Sequence, residues 1–157
     1  MNHARNPGFT LLELLVVIAI IGVLAGIFGV NYIQNIRRAN LAEAAATVYA
    51  ELYRARSAAQ RRSTDQPVTW TANTLSAGAG RSVTIPNGAR IVTAAATGYV
   101  YRAPYGEFYD PTSSTGAGGL RLERVDASGQ YHTAVDAVGV TGKVIRRRIV
   151  AVDAPLQ

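Results

Sequence analysis

From Phe9 to Val30 the chain runs for 22 residues with only two polar side chains, Thr10 and Glu13. As a helix rising 1.5 Å per residue, this stretch is about 33 Å long, enough to cross the hydrocarbon core of a bilayer. A helix that is apolar all round has no face to give to water, so lipid or other protein must cover it. The flank before it holds Arg5 and His3 and no acid. Positive residues stay on the cytoplasmic side, which predicts a single-pass segment in the cytoplasmic (inner) membrane with the bulk of the chain outside. Gly22, Ala25 and Gly26 imitate a signal-peptide cleavage site, but the apolar run continues past them, so an ordinary secretory signal fits poorly. Glu13 is the anomaly, because a carboxylate in apolar surroundings is costly unless it is paired.

The residues that introduce this run are Gly8-Phe9-Thr10-Leu11-Leu12-Glu13. They resemble the processing site of type IV prepilins and pseudopilins. The resemblance implies that a prepilin peptidase/methyltransferase cuts between Gly8 and Phe9 and methylates the new Phe9 amine. Residues 1–8 are then a leader, and residues 9–30 a transmembrane and assembly helix. It also implies a use for Glu13, which offsets the Phe9 amine of its own or a neighbouring subunit as subunits stack. The plainer alternative leaves Glu13 solvated among lipid headgroups. Gly22 and Gly26 have the small-xxx-small spacing that lets membrane helices approach closely; glycine is also simply tolerated in lipid. Val30 stands where many pilins carry proline, so no proline kink is expected.

Beyond Val30 the pattern turns amphipathic. Ile33, Ile36, Leu41, Ala44, Val48, Leu52, Ala55 and Ala59 recur mostly at three- and four-residue intervals, one face of a helix over 31–62. No proline lies between Pro7 and Pro67. One helix from Phe9 to Arg62 is about 80 Å long, more than the remaining 95 residues (63–157) can bury. The expected fold is α+β: a pilin-like lollipop, with the second half of the helix packed on a small antiparallel β-sheet head. Expected strands are 68–72, 82–85, 90–93, 99–103, 120–125, 131–135 and 143–152, with glycine-rich turns between them and the most loop-like stretch at 110–119.

The late-helix stretch Leu52-Tyr53-Arg54-Ala55-Arg56-Ser57-Ala58-Ala59, followed by Pro67-Val68-Thr69-Trp70, is similar to the GspH/FimT family of minor pilins and pseudopilins. This implies a structural subunit that helps initiate or cap a type IV pilus or type II secretion pseudopilus, with other pilin subunits as partners. Some members of that family take part in DNA uptake.

The chain offers little for catalysis. It has no cysteine, and its two histidines are His3 and His132, the latter expected on an exposed strand surface. No transition-metal spacing or phosphate loop is present, so no cofactor, metal or enzymatic activity is expected. Two other constellations remain. In Tyr99–Tyr109, alternation places Tyr99 and Tyr101 on one side, as a platform beside Arg102 or as packed rings. In 142–150, Gly142 precedes Lys143, Arg146, Arg147 and Arg148. A glycine followed by closely spaced cations resembles the DNA-binding branch of that family. In a regular strand Arg146 and Arg148 share one face while Lys143 and Arg147 point the other way, unless a bulge intervenes. Binding of DNA phosphates and protection of a charged edge strand both remain open. The net charge of +6 suits an anionic partner without identifying one.

Overall fold

The computed structural model describes residues 9–78, 80–93, 98–111, 118–126, 129–139 and 141–151. It opens on one helix, α1 (Leu11–Arg62), of 52 residues. Thr10 Oγ1 accepts the backbone N–H of Glu13 at 3.2 Å, so Thr10 caps the first turn. A threonine three residues ahead of a glutamate is a helix-start pair that satisfies otherwise orphaned donors. At the other end Ser63 takes a left-handed φ of 51°, which stops the helix. Arg61 and Arg62 fill the last turn, where cations suit the helix dipole.

The chain divides into two compact units, one through Arg37 and one from Arg38. In the first, twelve large apolar side chains between Phe9 and Leu24 are 45–83% exposed. Ile33 and Ile36, expected on a buried face, are exposed as well; among the described residues of this unit no second element packs on the helix.

In the second unit Leu41, Ala44, Ala45, Val48, Leu52, Ala55 and Ala59 are at most 2% exposed. Their spacing forms one stripe, and two antiparallel sheets cover it. The strands are β1 (Gln66–Trp70), β2 (Thr74–Ala77), β3 (Ser82–Thr84), β4 (Arg90–Ile91), β5 (Tyr99–Arg102), β6 (Glu107–Tyr109), β7 (Gly118–Asp126), β8 (Gly129–Val138), β9 (Lys143–Arg146) and β10 (Val150–Ala151). The first sheet has the order β3-β2-β1-β5-β6. In the second, β4, β7 and β8 lie side by side, and β9 and β10 both pair with β8. Val68, Tyr99, Tyr101 and Phe108 from one sheet and Leu120, Leu122, Val135 and Val144 from the other join the helix stripe in one core. The Tyr99 ring packs in tilted geometry with its centroid 4.7 Å from those of both Trp70 and Phe108. Such ring pairs each add about 0.5–1.5 kcal/mol beyond the area they bury.

The α+β class is as expected; the strand list is not. β2 and β6 were not foreseen. β2 shows only Leu75 and Ala77 inward between Thr and Ser, and β6 is three residues long. The loop expected at 110–119 ends early: residues 112–117 lie outside the described residues, but Gly118 and Gly119 already pair in β7. They are strand glycines because neighbours crowd the backbone there. A Cβ on Gly118 would come 3.0–3.1 Å from the Phe108 and Tyr99 rings. The sheets are also tied by Phe108 N–H donating to Gly139 O at 3.1 Å and Tyr99 O–H donating to Gly119 O at 3.0 Å.

Candidate functional site

The N-terminal residues singled out by sequence all lie in the first unit. Gly8 is outside the described residues. Phe9 is 81% exposed. Glu13 is exposed in the first helical turn, and its backbone N–H is engaged by Thr10. A carboxylate there also suits the positive end of the helix dipole, a local use of Glu13 that the sequence reading missed. Gly22 and Gly26 stand one turn apart on the same helix face, and a Cβ at either would touch nothing within 4 Å. Among the described residues nothing fills the space that these glycines leave. Among the described residues no helix is long and apolar enough to cross a membrane; side chains of the apolar run are described only as far as Gly26.

The basic cluster takes its form from the register at the edge of β8. Lys143 through Arg146 pair with Val138 through Val135. Val150 and Ala151 then pair with His132 and Tyr131. Three residues, 147–149, therefore face only two, Thr133 and Ala134. This is a bulge of one extra residue. Arg147 N–H donates to Ala134 O at 2.8 Å, and the buried Thr133 hydroxyl donates to Arg147 O at 2.8 Å. The bulge interrupts the alternation expected after Arg146. Arg146, Arg147 and Arg148 are all exposed, and all three border one cleft of about 630 Å³ with Gly118, Gly119, Asp136 and Ile145. A smaller cleft of about 170 Å³, on the side of Ala42 and Ala45, is lined by the same arginines. Lys143 is exposed but borders neither. The turn before it needs Gly142, which has a φ of 59° and whose Cβ would lie 1.9 Å from Gly106 O.

Asp136 enters this cleft unforeseen. Its Oδ2 accepts from Nε of Arg147 in a partly exposed ion pair. Only the strand register pairs residues eleven apart in sequence, so spacing alone gave no signal for it. Arg146, Arg148 and Lys143 have no partner among the described residues.

The tyrosine segment divides. Tyr99 and Tyr101 are 3% and 0% exposed and belong to the core. Burial, reinforced by the Asp110 carboxylate, pushes the Tyr99 phenol up to about 12. Tyr105 and Tyr109 are outside, and Arg102 lies 3.7 Å above the Tyr109 ring. The expected exposure of His132 is wrong: it is 2% exposed. It stands opposite Glu123 of β7 and Val150 of β10 in the interior of the second sheet, so both flanks are covered. Burial lowers its pKa, the Arg121 guanidinium lowers it further, and Glu123 opposes both. Its Nδ1 finds no partner among the described residues. No group of three or more metal-capable side chains is present among them either.

Residues 3–29 match the prokaryotic N-terminal methylation motif. The N-terminus is type IV prepilin-like. That motif implies processing by a prepilin peptidase and assembly with other pilins. The 128 residues after it fall outside the match. No curated protein and no solved structure matches the chain.

Proposed function

We propose that the protein is a minor pilin or pseudopilin of the GspH/FimT type. It is held in the cytoplasmic membrane by the prepilin-like N-terminus, cleaved after Gly8, and drawn into a pilus or secretion pseudopilus near its tip. The observation that carries this reading is the first half of α1. Eleven of its large apolar side chains, from Leu11 to Leu24, are exposed together with Phe9 before it, within the residues that match the methylation motif. Fully burying a large aliphatic side chain is worth roughly 1.5–3 kcal/mol. Even with each half covered already, lipid or neighbouring helices would gain on the order of 10 kcal/mol from this surface. Glu13 then pairs with the Phe9 amine in the assembled state. Mass spectrometry of the native protein tests the processing: the mature chain begins at a methylated Phe9. A chain beginning at Met1, or after Ala25, overturns the reading.

A second reading is favoured by one observation, the bulge that gathers Arg146, Arg147 and Arg148 along one cleft. The head in this reading is also a nucleic-acid binding module that contacts backbone phosphates without reading bases. Among the described residues no aromatic side chain lines the cleft for base stacking, so its binding is indifferent to sequence and strongly salt-dependent. Arg146→Gln with Arg148→Gln removes the salt-dependent binding in a duplex titration; binding unchanged by the pair places the contact elsewhere.

A further inference from the structure

The cleft beside the bulge holds one acid among its cations, and a chain of contacts places that acid. The buried Tyr99 hydroxyl donates to Gly119 O at 3.0 Å, which fixes the start of β7. Gly119 faces Asp136 in the β7–β8 register. A Cβ on Gly119 would come 2.2 Å from Asp136 Oδ1. The carboxylate therefore lies against backbone that only glycine leaves open. Its other oxygen accepts from Arg147. On either side in sequence, Arg146 and Arg148 border the same cleft without a partner among the described residues.

We infer that Asp136 sets how many cations this cleft offers: it withdraws Arg147 and leaves Arg146 and Arg148 as a two-cation site for the phosphodiesters of a nucleic-acid backbone. The inference rests on the nucleic-acid reading above. By holding Arg147 and adding its own negative charge, the carboxylate lowers the cleft's net charge from three positive to two, which weakens its attraction for every phosphate. Two neutralised phosphates give a log–log salt slope near −2 on duplex DNA, at about −0.9 for each. Freeing Arg147 adds a third and moves the slope toward −3. That change amounts to roughly eightfold tighter binding at about 0.1 M salt.

The test uses the full chain in detergent micelles, titrated with a duplex of about 20 base pairs over about 50 to 300 mM salt. Asp136→Asn steepens the slope by about one and tightens binding at low salt. Adding Arg147→Gln to that variant returns both values to those of the wild type, which a merely structural defect does not do. Gly119→Ala displaces the carboxylate instead of neutralising it and shifts binding in the same direction. Trp70 emission reports that each variant is folded. If wild type binds the duplex and Asp136→Asn binds no tighter, the role of Asp136 is overturned while the nucleic-acid reading stands. If neither binds at the lowest salt, the nucleic-acid reading falls, and inorganic triphosphate decides the rest. Tighter triphosphate binding by Asp136→Asn upholds Asp136 as the charge-setting residue, and equal binding overturns it.

Discussion

Residues 11–24 and residues 41–59 belong to the same helix and use apolar side chains in opposite ways. The first stretch carries Leu, Ile and Val on every side, and they stand exposed. The second buries one stripe of seven apolar residues, four of them alanines, while Ala46, Tyr49, Ala50 and Tyr53 stay exposed on its other faces. Alanine keeps the helix surface low, so two sheets approach it closely and Tyr101, Phe108 and Leu120 supply the bulk. Large aliphatic residues all round suit a soft or repeated neighbour such as lipid or identical helices. A small one-sided stripe suits a single fixed partner within the chain. The difference lies in the size and distribution of apolar residues rather than in their number.

Truncation breaks this comparison most directly. Leu52 is 1% exposed among core side chains, so Leu52→Ala should cost about 2–5 kcal/mol of head stability. Leu15 is 57% exposed, and Leu15→Ala should leave head stability within about 0.5 kcal/mol. Denaturant unfolding of the chain in micelles, followed by Trp70 emission, measures both. Equal losses would mean that the first stretch is packed by the head after all.

A smaller effect concerns Glu13, whose two possible uses separate on substitution. Glutamine keeps the capacity to cap beside Thr10 but loses the charge. If pairing with the Phe9 amine governs assembly, Glu13→Gln and Glu13→Ala both enter sheared filaments at least about tenfold less than wild type, since one partner of a desolvated pair is removed. If capping alone matters, Glu13→Gln assembles normally and only Glu13→Ala is impaired. Immunoblots of filament and membrane fractions distinguish the two, and cleavage after Gly8 should be unaffected in both variants.

The helix was legible because both of its regimes are written locally. The apolar run, the stripe from Leu41 to Ala59 and the break at Ser63 need only nearest turns to be read. The strands were legible where β-branched and aromatic residues alternate, as at Tyr99–Arg102. They were lost where pairing, not propensity, makes the strand: β2 with its Thr and Ser, and Gly118–Gly119. The site was half legible. Four cations were visible, but the grouping of three of them, Arg146, Arg147 and Arg148, depends on a single extra residue opposite Thr133 and Ala134. The acid that pairs with Arg147 is set by β8 register, and register is a long-range property.

The smallest effect distinguishes the two regions by pH. His132 belongs to the packed unit, and burial followed by the Arg121 charge holds its pKa below the ordinary 6.5. The charged groups that act on it are Arg121 and Glu123, themselves paired at 3.0 Å. A histidine with a lowered folded pKa takes its proton more readily when unfolded. The unfolded chain therefore binds more protons just below pH 6.5, and stability rises with pH in that window. Head stability should be level above about pH 7, decline as the pH falls through 6.5, and level off again once the folded state also takes the proton, save for any carboxylate contribution at lower pH. His132→Gln should remove the decline, whatever it does to stability at pH 7. The first unit carries no described histidine, so membrane association through residues 11–24 should not change over the same window. Urea midpoints of wild type and His132→Gln between about pH 5 and 8, with micelle association measured in parallel, follow both. A decline that persists in His132→Gln assigns the pH dependence to other groups, and a parallel change in association removes the distinction between the two halves of the helix.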